Sequence, residues 1–263
     1  MKQAKPTDEF TRKRMLRQRR IRKRRLMIGF VTFLILLLAV GVVLSLTVLF
    51  PIKEIRVTGS GVYTEKQVVN ACGITVGENL FTASQKKCEA ALRRQLPYIE
   101  SASLEKEIAG VLTIVVTDAE EYAAYAVGND YYLVSKSGHV LDRQPDAPKD
   151  LVTVITDDAK LAVGEDVTFE SQKTGELVDR LMVLAGQNGL TWNTIDLTDD
   201  LSITVKTEGR FLVDLGTSNY LENKVKHLAA MIEAVEPEKT GRINLSMWTS
   251  ANTEGTFVEG SIE

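Results

Sequence analysis

The chain has 263 residues, with 32 Lys and Arg against 35 Asp and Glu, and a formal net charge of −3. Two Cys and two His exclude a zinc ribbon, a His-rich metal cage and a disulfide-dense scaffold. Aromatics make up only 6% of the residues, which argues against an aromatic stacking platform.

The near-neutral total conceals a division. Residues 1–25 hold 12 basic side chains and two acids, which leaves 20 basic and 33 acidic residues for the remainder. Such a split fits two compartments better than one uniformly charged globule.

Leu26 to Phe50 then carries no charge over 25 positions. At ~1.5 Å per residue it reaches roughly 37 Å as a helix, more than the ~30 Å hydrocarbon core. A core helix is seldom apolar on every side for this length. A cleaved signal peptide is excluded by the long basic lead and by the absence of a small-x-small cleavage site. Pro51 ends the helix. The cations before the span place the N-terminus in the cytoplasm and the rest outside, a single-pass type II arrangement in the plasma membrane. The basic tail reads as an orientation signal lying against anionic lipid, with no nucleic acid as partner.

Beyond the span, Ile55 and Val57 alternate with polar neighbours up to Gly59, a half-buried strand. Thr64 and Gln67 have capping-box spacing, and the helix they open carries Val68, Val69 and Cys72 until Gly73 stops it. Ser84 caps a second helix with Cys88, Ala91, Leu92 and Leu96 on its apolar face, closed by Pro97. Strands are predicted over Glu100–Lys106 and Val111–Thr117, with a turn at Ala109-Gly110. Cys72 and Cys88 fall on apolar faces of consecutive helices, where a disulfide or two free buried thiols are both open readings.

Further along, Tyr131–Val134 and Val140–Leu141 flank a hairpin turn at Ser135–Gly138, and Leu151–Ile155 is a short strand. A helix is predicted over Ser171–Ala185 with Leu177, Leu181 and Leu184 inward. Ile195/Leu197, Leu201/Ile203/Val205 and Phe211/Val213/Leu215 make three alternating strands. Ser218 or Asn219 caps a helix bearing Leu221, Val225, Leu228, Ile232 and Val235. The last strand is Arg242–Trp248, and Thr249–Glu263 reads as a frayed polar tail.

The division by pattern is therefore a basic cytoplasmic tail (1–25), a transmembrane helix (26–50), a β-α-α-β-β domain (51–118), a strand-rich domain (119–248) and a flexible C-terminal tail (249–263). The fold class is α+β, with an open, largely antiparallel sheet in a second, mixed α/β domain.

A search for chemistry yields little. Gly59-x-Gly61 lacks the third glycine of a dinucleotide loop, and no βαβ unit surrounds it. His139 lies beside a hairpin turn and His227 on a helix, and no Ser or Cys has an identifiable base beside it. Asp157-Asp158 and Asp199-Asp200 stand at strand ends or turns. No catalytic, cofactor or metal residue, and no small-molecule substrate, is expected.

Partner binding remains. As the final strand, Arg242–Trp248 is the expected open edge, onto which a partner can add a strand. Arg242, Asn244, Ser246 and Trp248 share one face and Ile243, Leu245 and Met247 the other. Trp248 is either an interface anchor or a cap on the domain's own core.

Ile52, Ile55, Val57 and Gly59 after a basic tail and one span resemble the FtsQ/DivIB family of bitopic cell-division proteins. The likeness continues through Gly77-Glu78-Asn79-Leu80, Leu96–Ala102 and Leu112–Val116, which resemble the family's POTRA (polypeptide-transport-associated) domain. Gly138–Leu141, Asp214-Leu215-Gly216 with Lys224, and Gly241–Leu245 look like its β domain. Two departures stand out. Ala109 replaces a frequent Pro, and Asp118–Ala123 keeps only the acid and the last Ala of an E-R-x-P-x-A run.

The resemblance implies a non-enzymatic scaffold at the division septum. It would bind DivIC/FtsB-like and FtsL-like bitopic proteins through the C-terminal part of the β domain and help control septal peptidoglycan synthesis. The POTRA-like domain would be a second docking surface, its first strand close to the bilayer. A type II anchored cell-wall enzyme, of the glycopolymer ligase or peptidase class, is the alternative. A POTRA-bearing transport component would require a barrel or repeated POTRA units.

Overall fold

The computed structural model describes residues 25–43, 50–199 and 201–262. The basic tail up to residue 24 and the end of the predicted span, residues 44–49, lie outside the described residues. Helix α1 (Arg25–Val43) is apolar and exposed along its whole length, and it is long enough to cross a membrane.

Next come β1 (Glu54–Thr58), α2 (Glu65–Cys72), α3 (Gln85–Gln95), β2 (Ile99–Glu107) and β3 (Val111–Asp118). These strands form a three-stranded sheet in the order β1-β3-β2. The local signals act as their chemistry dictates. Gln67 Oε1 accepts from Thr64 N at 2.9 Å and from the Thr64 hydroxyl at 2.7 Å, and Gly73 takes the left-handed φ of 70° that ends α2. Val68, Leu92, Ile99, Ile114 and Val116 are buried. Cys72 and Cys88 are joined in a disulfide with Cα atoms 4.4 Å apart, so α2 and α3 are covalently tied.

The remainder contains β4 (Glu121–Val127), β5 (Asp130–Ser135), β6 (Val140–Gln144), β7 (Val152–Ile155), β8 (Ala159–Lys160), β9 (Thr168–Phe169), α4 (Gln172–Gln187), β10 (Trp192–Asp196), β11 (Ile203–Thr207), β12 (Phe211–Gly216), α5 (Leu221–Ala234), β13 (Gly241–Asn244) and β14 (Thr256–Glu259). Nine of these strands make one open sheet, ordered β14-β13-β12-β11-β10-β7-β4-β5-β6. Its pairings are mostly antiparallel, but β10–β7, β7–β4 and β12–β13 are parallel. Helices α4 and α5 contribute Leu181, Leu184, Val225 and Leu228 to a core with Trp192, Ile195, Val205, Val213 and Ile243.

Four expectations are corrected. The predicted frayed tail (249–263) contains β14, which pairs antiparallel with β13. The predicted last strand, Arg242–Trp248, ends at Asn244, because the Asn244 side chain accepts from Ser246 N at 2.9 Å and from the Ser246 hydroxyl at 2.7 Å and turns the chain. Tyr220, at φ 57°, stands at the α5 cap in place of Ser218 or Asn219. Leu201, expected to start a strand, is exposed ahead of β11, whereas Leu177 packs half-buried against the core beside the buried Val178.

Two carboxylates tie the helices of this region to their surroundings. Asp158 accepts from the Thr174 hydroxyl and from Ser171 N, and the Thr174 bond is the main reason its carboxyl sits below the ordinary range. Glu222 on α5 receives Arg180 Nε of α4 at 2.7 Å, and that bond holds its carboxyl low as well. A carboxyl depressed in the folded state supplies stability above its unfolded pKa and loses it as pH falls through the folded value. Stability is therefore expected to fall below about pH 4. The double variant Asp158→Asn, Glu222→Gln should show a flatter acid limb when unfolding midpoints are measured against pH.

Candidate partner-binding interface

The clearest place for chemistry in the sequence is the Gly59-x-Gly61 loop, and the structure shows what fills it. Gly59 adopts φ 96°, and a Cβ there would lie 2.0 Å from Val116 O, so the glycine is required by close approach to β3. Asp118 accepts from the Ser60 hydroxyl at 2.9 Å and from Gly61 N at 2.6 Å. The donors a phosphate would need are thus occupied by the chain's own carboxylate. Asp118 is the retained acid of the altered run after β3, a role that the sequence reading missed.

The histidines are likewise structural or surface groups. His139 is buried, with Nδ1 2.9 Å from Asp166 Oδ1 and Nε2 3.1 Å from Arg93 O. Arg93 itself donates to Asp166 at 2.8 Å, which closes a triangle between α3 and the chain beside β6. Asp199 accepts from Leu201 N in a turn. Among the described residues, no three His, Cys, Asp or Glu side chains gather as a metal site.

The sheet has two edges, and they differ. Along β6, Val140 N donates to Glu165 O and Gly164 N to Val140 O, so the start of the strand is covered by a neighbouring segment. Further along, Asp142 and Arg143 are exposed on that edge, and Arg143 pairs with Asp130. Such charge protects an edge from added strands. β14 is the terminal strand at the other end, and among the described residues no strand lies on its outer side.

The register determines which backbone groups of β14 face outward. Gly241 N and Leu245 N donate toward β12, to Arg210 O and Asp214 O. Residues alternate along a strand, so Arg242 and Asn244 turn their backbone groups toward β14. Their partners are Val258 and Thr256. Phe257 and Glu259 consequently direct their N–H and C=O groups away from the sheet. β14 can approach this closely because position 241 is glycine; a Cβ there would lie 2.3 Å from Val258 O.

The predicted partner-binding residues separate into two sets. Ile243, Leu245 and Trp248 are buried in the domain core, and Trp248 lies against the Tyr220 ring with centroids 5.9 Å apart. Arg242, Asn244 and Met247 are exposed, while Ser246 is half-buried beside Gly216. The expectation that Arg242–Trp248 forms the open edge is therefore corrected: β13 is sandwiched between β12 and β14. Beside it, Lys224 is buried and donates to Leu215 O at 2.6 Å and Thr217 O at 3.0 Å, pinning the end of β12. Burial lowers the proton affinity of this amine, opposed by the Asp214 carboxylate.

A three-stranded βααββ unit with a disulfide, followed by an open mixed sheet and preceded by an apolar helix, defines a class of protein with a POTRA module and a β domain. Residues 50–118 match the POTRA domain of FtsQ type, and residues 123–246 match the C-terminal domain of cell division protein FtsQ/DivIB. The chain belongs to the FtsQ/DivIB family of cell-division proteins. It is 24% identical over 240 residues to cell division protein DivIB of Clostridium botulinum strain Hall, covering 89% of this chain and 90% of that protein. Cell division protein FtsQ of Chloroflexus aurantiacus is 24% identical over 183 residues, 70% of this chain and 66% of its own length. DivIB of Listeria monocytogenes is 25% identical over 167 residues, 62% of this chain and 56% of that protein.

Proposed function

We propose that this chain is a non-enzymatic division scaffold, anchored by its apolar helix with the N-terminus in the cytoplasm and the folded part outside at the septum. Its partners in this reading are a DivIC/FtsB-like and an FtsL-like bitopic protein. Through them it helps control septal peptidoglycan synthesis. The partner lays an extended segment along the outer side of β14, beside the exposed Arg242, Asn244 and Met247.

The observation that supports this reading best is the difference between the two sheet edges. β6 is covered and charged, whereas β14 offers backbone donors and acceptors from Phe257 and Glu259. The Cys72–Cys88 bond agrees with an oxidising compartment outside the cytoplasm. Affinity purification of the full chain from solubilised membranes is expected to bring down two small single-span proteins with coiled-coil sequences. Recovery of the chain without such proteins would contradict the reading.

A further inference from the structure

Three loops meet where the chain leaves the apolar run. Leu80 N donates to Phe50 O at 2.9 Å, Gly77 N to Ile52 O at 2.8 Å, and Lys53 N to Gly110 O at 2.8 Å. These bonds tie Thr75–Ser84 and the β2–β3 turn to residues 50–53, with which they form one compact unit.

The loops carry large apolar side chains in the open. Val76 is 62%, Phe81 51% and Ile108 78% exposed. A protein surface seldom leaves such residues together without something to cover them. The Phe81 ring stacks edge-on against Phe50 with centroids 5.2 Å apart. Phe50 is the last residue of the uncharged run that begins at Leu26. An uncharged run of this length suits a span of the ~30 Å hydrocarbon core, and in that reading Phe50, at its end, belongs at headgroup level.

We propose that Val76, Phe81 and Ile108 dip into the outer headgroup interface of the bilayer, a second, interfacial attachment that holds the base of the POTRA domain to the membrane. This rests on the reading that the apolar run spans the membrane. Lys53, before β1, and Lys106, near the end of β2, are matched in number by Glu78 and Glu107, so these charges balance and apolar burial is the driving force. The contact is accordingly insensitive to salt.

The test uses the full chain in nanodiscs of phosphatidylethanolamine and phosphatidylglycerol. Single cysteines are introduced by Leu34→Cys, Ile108→Cys and Val62→Cys and labelled with an environment-sensitive fluorophore. Cys72 and Cys88 are bonded to each other and do not react. Nitroxide-bearing lipid is expected to quench the Leu34 and Ile108 sites about threefold more than the Val62 site, which soluble iodide quenches instead. Lipid quenching at Leu34 with iodide quenching at Ile108 would overturn the interfacial contact while leaving the anchor in place. An Ile108 site shielded from both quenchers would show a protein partner there and overturn it too. No lipid quenching at Leu34 would remove the anchor and the proposal together.

Discussion

Phe211→Ala is expected to lower the unfolding free energy by about 3–5 kcal/mol, the usual cost of truncating a fully buried ring. Phe211 opens β12, is completely buried, and stacks at 6.0 Å on Phe257 of β14. The Arg210 guanidinium covers its ring at 4.7 Å from the centroid. Losing the ring removes core volume and also the main support under the edge strand. Urea unfolding followed by the two Trp residues, both in the β domain, reads the first effect. Faster amide exchange at Thr256–Glu259 reads the second. A loss below ~1 kcal/mol would mean that the site collapses without leaving a cavity.

Removing the Cys72–Cys88 bond should cost about 3 kcal/mol, because the closed loop is short and its entropy of closure moderate. The cysteines are 16 residues apart and link α2 to α3. The double variant Cys72→Ala, Cys88→Ala should unfold its POTRA domain at lower urea than the parent, and a reductant should bring the parent to the variant's midpoint. Equal midpoints for the oxidised parent and the variant would show that the bond contributes no stability.

The sequence reveals elements whose signals are local. Thr64, Gln67 and Gly73 mark both ends of α2, and Pro97 marks the close of α3, because caps and prolines act within a turn of their own position. β4 escapes such reading: Ala123, Ala124 and Ala126 have little strand preference, and the strand exists because β5 and β7 flank it. The parallel pairing of β12 with β13 is equally invisible, being set by where α5 returns the chain.

The partner site shows the same limit. The alternation of Ile243, Leu245 and Met247 predicts a strand as far as Trp248, but one Asn side chain ends it at position 244. Thr256–Glu259, four residues after a polar stretch, has too short a pattern to stand out, so the true edge was read as tail. Asp118 was overlooked for another reason. Its partners, Ser60 and Gly61, lie 57–58 residues away, and nothing near it in sequence hints at them.

In the proposed scaffold a partner hydrogen-bonds to the outer side of β14, and one residue isolates that contact. Glu259 directs its N–H outward, so Glu259→Pro removes an outward donor while leaving the β13 ladder intact, and Glu259→Ala keeps it. With the full chain in nanodiscs, affinity for the DivIC/FtsB-like and FtsL-like pair should fall about tenfold or more in the proline variant, equivalent to ~1.4 kcal/mol. The alanine variant should bind as the parent does. Equal binding by all three would place the partner elsewhere and contradict the account.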